Sequence, residues 1–380
     1  MLTQLTLINF RNHRHTQLNG LGKMVMLVGD NGAGKTNVME AVSLLSPGRG
    51  LRGAELESLG LAGNVGELGM AWGVSGLLQA GTDRTELHTG VREDKRSQRL
   101  LIADDKPITQ TALLQQLHIH WLTPAYDPLL TGPAADRRRF LDRLVFGIFA
   151  HHLRGVNRYE QLLRERMALL RPAPHQPPAP PAWLDAVEAK LAESAVAVAA
   201  ARLELVNRLN QQLAQQPDGF LHARVQLTGA VELALQDGRS ALTVEDAARQ
   251  HWQRQRGDDA AHGSTSYGVH RSDFVVSAQK NIDWTPGAQC STGEQKALLL
   301  VITLAYMRLL AADTNKPSIL LLDEVVAHLD SGRRQALGEQ LAHLPCQLWL
   351  TATDQDFLRG WPTADKGCWM VAQGAVTASA

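Results

Sequence analysis

The stretch Gly29-Asp-Asn-Gly-Ala-Gly-Lys-Thr36 fits the pattern G-x-x-x-x-G-K-[ST] at every fixed position. Each residue type has a job in that pattern. Glycines let successive backbone N–H groups turn inward around phosphate oxygens, where a Cβ would obstruct them. Lys35 brings a positive charge to the β- and γ-phosphates, and the Thr36 hydroxyl is placed to hold Mg²⁺. Residues Gly29, Asp30, Asn31, Gly32, Ala33, Gly34, Lys35, Thr36 and Asn37 are therefore expected to line a nucleoside triphosphate.

A second constellation lies far downstream. Ser318-Ile-Leu-Leu-Leu-Asp323-Glu324 reads as a buried strand ending in two carboxylates. Asp323 is suited to anchor the Mg²⁺ shell, and Glu324 to orient and deprotonate an attacking water. The second carboxylate fits a hydrolase better than a pure binding module. A GTPase would need an Asn-Lys-x-Asp element to read its base, and Asn315-Lys-Pro-Ser318 lacks the Asp, which favours ATP. Upstream, Ser291-Thr-Gly-Glu294 has the form of a capping box opening an apolar helix, with Ser at the N-cap and the acid three residues on. The same helix start is a ready anion site.

The elements that must position these groups follow from periodicity. Val25 to Val28 is a short apolar strand leading into the loop, and Asn37 to Leu45 has helical apolar spacing, so the phosphates face a helix N-terminus. Alternation predicts a strand over Leu2 to Phe10, a return strand over Thr16 to Leu21, and an antiparallel set over 68–74, 85–91 and 98–103. From Ala134 the pattern turns helical. A Pro-rich connector at 171–181 separates that run from a long Ala-rich helix over Trp183 to Gln216 with one apolar stripe. Residues 220–233 read as strand, Thr243 to Arg256 as helix, and Gly257 to Ser266 as a flexible polar link.

Composition is that of a soluble globular protein: 44% hydrophobic and 20% charged residues, with 38 basic against 38 acidic side chains. Zero net charge argues against a chain basic all over while leaving room for a local basic strip. Cys290, Cys346 and Cys368 form neither a disulfide framework nor a metal pattern, and suit a reducing cytosol. The N-terminus lacks the apolar run of a signal peptide, and the apolar stretch from Ala297 to Met307 is too short to span a bilayer.

Phosphate loop, Ser-x-Gly-[Gln/Glu] helix start, Asp-Glu strand and Ala327-His-Leu-Asp330 occur here in the order found in ABC-type ATPases, which the chain resembles. Within them it is similar to the RecF family, related to Rad50 and SMC heads. That likeness rests on Asn9-Phe-Arg-Asn12, Gly132-Pro-Ala-Ala-Asp-Arg-Arg-Arg-Phe-Leu-Asp142, Val269-His-Arg-Ser-Asp273, Cys290-Ser-Thr-Gly-Glu-Gln-Lys296 and Leu320 to Asp330, and it covers almost the whole chain. Compact helices fill the interval from Lys35 to Ser291, where Rad50 and SMC proteins carry very long coiled coils. The resemblance implies an α/β P-loop ATPase head of mixed sheets with flanking helices, carrying an inserted, mainly helical lobe. Its segments would be 1–133 (loop and antiparallel sheet), 134–262 (helical lobe) and 263–380 (signature, Asp-Glu strand, D-loop).

By the same resemblance, two heads sandwich ATP. Ser291, Gly293 and Glu294 would touch the γ-phosphate held by the other copy's Lys35. Asp330 would border the dimer interface, and Arg11 and Asn12 would sit near the nucleotide. Two departures stand out: Glu294 replaces the usual signature Gln, and Thr353 takes the place of a switch histidine. Both point to slow hydrolysis. The implied function is an ATP-dependent homodimeric clamp on double-stranded DNA at gaps or single-strand/double-strand junctions. It would promote RecA loading with RecO and RecR, in the cytoplasm at the nucleoid. Arg137, Arg138 and Arg139, with the helix faces bearing Arg154, Arg158 and Arg164, are the candidate DNA-phosphate contacts. The alternatives are a cytosolic ATPase subunit of a transporter and a non-hydrolysing, nucleotide-dependent scaffold.

Overall fold

A computed structural model describes residues 1–62, 69–171, 179–216, 220–314, 316–324, 331–354, 361 and 366–379. Asp330 and most of the Pro-rich connector lie outside the described residues. The chain forms two compact units, one of residues 1–127 and 307–380, the other of residues 128–306.

Two six-stranded sheets build the first unit. One is antiparallel throughout, in the order His13–Asn19, Leu2–Phe10, Gly73–Ala80, Asp83–Arg92, Lys95–Ala103, Lys106–Pro107. Asp104 and Asp105 turn its last hairpin with φ of 46° and 62°, a left-handed pair that Asp tolerates better than most residues. The other sheet runs Ala375–Ala378, Lys366–Ala372, Met24–Val28, Gln347–Ala352, Ser318–Leu322, His118–Leu122. All of its pairings are parallel except the C-terminal hairpin. Met24–Val28, Ser318–Leu322 and Gln347–Ala352 are buried along their whole length, and the apolar runs Met24–Val28 and Ile319–Leu322 follow from that: a parallel strand covered on both faces has no polar side to alternate with. Leu5, Leu7, Leu27, Val38, Val42, Leu321 and Trp349 are among the residues of one continuous core.

The second unit is mainly helical. Ala134–Ile148, His152–Leu170, Pro181–Leu213, Ala230–Gln236 and Ala241–His262 accompany a three-stranded antiparallel sheet in the order Asp283–Pro286, Asp273–Lys280, Ala223–Thr228. The stripe on the long helix is core: Leu191, Ala195, Val198 and Ala199 pack with Tyr159, Val244 and Trp252. The signature segment belongs to this unit, whereas the loop and Asp323 belong to the first.

Two expectations are corrected. The strand expected over 220–233 ends at Thr228, and Gly229 passes the chain to the helix Ala230–Gln236. The polar stretch from Gly257 is no flexible link. Helix Ala241–His262 runs through Gly257 and stops at Gly263 in the left-handed conformation (φ 68°), because buried Asp259 is tied to Arg166. The apolar run from Ala297 sits inside a 22-residue helix, Thr292–Asp313, whose 18-residue apolar window has a mean hydropathy of 1.5. Its apolar window is 72% buried within the fold, the environment of a core helix.

Candidate functional site

The loop is shaped by close approaches. A Cβ on Gly29 would lie 2.2 Å from the Val371 carbonyl oxygen, and one on Gly34 (φ 112°) would lie 2.7 Å from Asn12 Nδ2. Only glycine fits either place. Asp30, Asn31 and Gly32 form the exposed tip, and the helix Lys35–Ser43 starts directly behind it. Lys35 is buried, with Nζ donating to the carbonyls of Gly29 (2.6 Å) and Asp30 (2.9 Å). Its ammonium is thereby held across the concave side of the loop.

Strand register brings the distant carboxylates to Thr36. Leu322 pairs with Leu350, and Thr351 pairs with Leu27, so the ends of three parallel strands lie side by side just past the loop. Thr36 Oγ1 donates to Asp323 Oδ2 at 2.9 Å. Thr351 Oγ1 donates to Asp323 Oδ1 at 2.9 Å and accepts the Glu324 N–H at 2.8 Å. Asp323 is buried and both of its oxygens are engaged. Glu324 is exposed and held at φ 55°, a left-handed conformation that costs a non-glycine residue about 1–3 kcal/mol and persists only where the surroundings impose it. A hydroxyl and a carboxylate are the hard oxygen donors that Mg²⁺ takes, usually with substrate phosphates completing its shell. The donor set therefore fits that ion.

Arg11 and Asn12 reach the loop helix by different routes. Asn12 Nδ2 donates to the Ala33 carbonyl at 3.3 Å, while its Oδ1 accepts from Asn37 at 2.8 Å. Arg52 then donates to Asn37 Oδ1 at 2.7 Å and to Glu40 at 3.0 Å. Arg11 grips the other side of Glu40 through two bonds of 2.8 Å. Glu40 is fully buried and carries both guanidiniums.

The signature turn is local. Ser291 N–H donates to Glu294 at 2.7 Å and Ser291 Oγ accepts the Glu294 N–H at 3.3 Å, a complete capping box. Gln295, buried, donates to the Cys290 carbonyl at 2.8 Å and anchors the turn from below. Ser291 and Gly293 are exposed, and a Cβ on Gly293 would meet nothing within 4 Å.

The three consecutive arginines are engaged within their own unit. Arg137 makes a bidentate pair with Asp273 (2.7 and 2.8 Å) and caps the Gly132 carbonyl. Arg138 donates to the Ser272 carbonyl, and Arg139 pairs with Asp136. Arg154, Arg158 and Arg164 are exposed on the helix His152–Leu170.

Sequence reasoning did not find Thr351, Glu40 or Arg52. Thr353, singled out as the switch position, is exposed, and the hydroxyl on Asp323 is that of Thr351. Glu40 carried a signal, a lone charge on the apolar face of Val38, Met39, Ala41 and Val42. Arg52 carried none.

Residues 1–376 match the family of RecF/RecN/SMC N-terminal domains. DNA replication and repair protein RecF of Mesorhizobium japonicum is 40% identical over 357 residues, spanning 93% of this chain and 91% of that protein. The solved structure of the recombination mediator protein RecF with ATPrS, of the RecFOR pathway, superposes with a TM-score of 0.85 at 20% identity, covering 100% of this chain and 98% of that one. An SMC head domain with an extended coiled coil, from Pyrococcus furiosus, superposes with a TM-score of 0.53 at 12% identity, covering 100% and 95%. The fold is that of the RecF and SMC ATPase heads.

Proposed function

This chain belongs to the RecF family of DNA replication and repair proteins, and from that premise we propose that it is an ATP-gated DNA clamp of recombinational repair. Two copies close on ATP, so that triphosphate held by Lys35 and the loop of one meets Ser291, Gly293 and Glu294 of the other. Asp330 borders that interface. The observation that carries this reading is the contrast between the two half-sites. Thr36, Asp323 and Thr351 form a bonded polar cluster and Lys35 is buried against the loop carbonyls, whereas the signature turn is exposed and Gly293 faces open space.

Mg²⁺, held by Thr36 and Asp323, would neutralise charge on the phosphates. Glu324 orients the attacking water and takes its proton, and the cost of its backbone conformation is consistent with a residue set by function rather than by packing. With a carboxylate at Glu294 and no histidine at Thr353, turnover is slow, below roughly 10 s⁻¹, and hydrolysis acts as a timer that releases DNA. Duplex DNA at gaps and single-strand/double-strand junctions is bound mainly through its phosphates. Exposed Arg154 and Arg158 suit that contact better than Arg137 and Arg138, whose guanidiniums hold protein groups. RecO and RecR are the partners and RecA loading is the outcome, in the cytoplasm at the nucleoid.

Mixing a Lys35→Ala variant with a Ser291→Ala variant tests the shared site. ATPase activity absent from each alone returns in the mixture, whose heterodimer holds one intact pocket. Failure to recover, with both variants folded and pairing, rejects the clamp.

A further inference from the structure

The signature carboxylate raises a physical difficulty, since a negative charge placed beside a triphosphate opposes the contact it is meant to make. The neighbouring hairpin supplies an answer. Lys280 ends the strand Asp273–Lys280 and pairs across the turn with Asp283, so strand register rather than a mobile tether sets its position. Its Nζ lies 3.0 Å from Glu294 Oε1 and 3.1 Å from Oε2, addressing both oxygens at once. Glu294 is therefore clamped between the Ser291 N–H and Lys280, and its carboxyl is held below the usual carboxylate range by Lys280 and Ser291. It stays ionised, with its charge answered on the spot.

Stability does not account for the pair. Both side chains are partly exposed, 42% and 32%, and such pairs contribute little in water. Their worth rises where a second charged body closes over them and excludes solvent, because the same charges then interact through a lower dielectric.

We propose that Lys280 is a positioning residue of the signature half-site, neutralising Glu294 so that a carboxylate in place of the usual amide accepts the phosphates of a nucleotide held by a second copy. The inference rests on the shared-site reading above. On this view Lys280 offsets part of the charge that Glu294 brings where a glutamine would bring none.

A double-mutant cycle read by sedimentation with ATP tests it, using the full chain, Lys280→Ala, Glu294→Gln and the double variant. Lys280→Ala weakens ATP-dependent pairing roughly tenfold where Glu294 is present and less than twofold where it is Gln, since the cation then has no charge to answer. Thermal melting of the nucleotide-free variants stays within a degree or two, because an exposed pair is being removed. Equal weakening in both backgrounds overturns the proposal, since Lys280 would then act directly on phosphate or on hairpin shape. So does an unchanged affinity on removing Lys280 from the otherwise native chain. Absence of ATP-dependent pairing in the native chain itself overturns the shared-site reading, and this inference with it.

Discussion

The two units place their buried charges in opposite ways. Among the described residues of the first unit, the buried Asp, Glu, Lys and Arg side chains are Lys35, Glu40 and Asp323, and all three stand at the phosphate loop or on its helix. The rest of that core is largely apolar and aromatic, such as Phe10 against Trp72, with uncharged polar groups such as Ser43, Thr89 and Gln347 and the imidazoles of His13, His118 and His120 among it. The second unit distributes charge through its interior. Arg166 has no exposed surface and bonds Glu188, Asp259, Thr265 and the Trp252 carbonyl at 2.8–3.1 Å. Arg202 holds Asp142 through two bonds of 2.8 Å, and Asp142 also meets His152 at 2.9 Å. Taking an ion out of water costs several kcal/mol unless partners answer it. In the first unit that expense is confined to the phosphate loop, its helix and the strand end bonded to them. In the second it fixes the relative placement of helices, a scaffold on which the signature turn is presented.

The sharpest way to break this contrast is at the exposed carboxylate. Glu324→Gln should lower ATP turnover by about 10²–10⁴ in steady-state assays while leaving an ATP-bound dimer that persists on sedimentation. Undiminished turnover would mean that the polar cluster of the first unit is not catalytic.

Next in size is the scaffold. Arg166→Ala leaves Glu188 and Asp259 buried without their shared cation, though Arg256 still reaches Glu188. Denaturant unfolding should show a loss of about 3–5 kcal/mol. Equilibrium dialysis should find ATP binding at the loop unchanged in whatever fraction stays folded.

A pH effect separates the units further. Burial, with Lys316 nearby, pushes His118 down to about 4 from its ordinary 6.5. Between those values the unfolded chain takes a proton that the folded chain refuses, so stability falls as pH drops from 6.5 towards 4, by up to about 3 kcal/mol. Neither ring nitrogen of His118 has a hydrogen-bond partner among the described residues. His118→Leu should therefore flatten the melting-temperature profile over that window at little cost. His152→Leu should not be as benign, because it strips a partner from buried Asp142.

The smallest expected effect lies at Thr351. Thr351→Val keeps the shape and removes the hydroxyl from Asp323 and from the Glu324 N–H, a loss of about 1–3 kcal/mol in stability. Turnover should fall roughly tenfold, a smaller step than Glu324→Gln, since the carboxylates remain but are less firmly held. If Thr353→Val gives the larger drop, the assignment of the supporting hydroxyl reverses.

Glycine-rich loop, capping box and Asp-Glu strand end were legible because each is contiguous in sequence, with its geometry dictated within a turn or two of the backbone. Long amphipathic helices were legible for the same reason, as Pro181–Leu213 shows. Tertiary structure alone decided that Thr351 rather than Thr353 meets Asp323, since that choice depends on the register of three strands far apart in the chain. It likewise turned Arg137 and Arg138 inward onto Asp273 and Ser272, carried a helix through Gly257 because Asp259 is needed by Arg166, and set Lys280 against Glu294. Those outcomes share one cause: a charged or hydroxylated side chain takes the partner that folding brings within 3 Å, and no local pattern of residues encodes which partner that is.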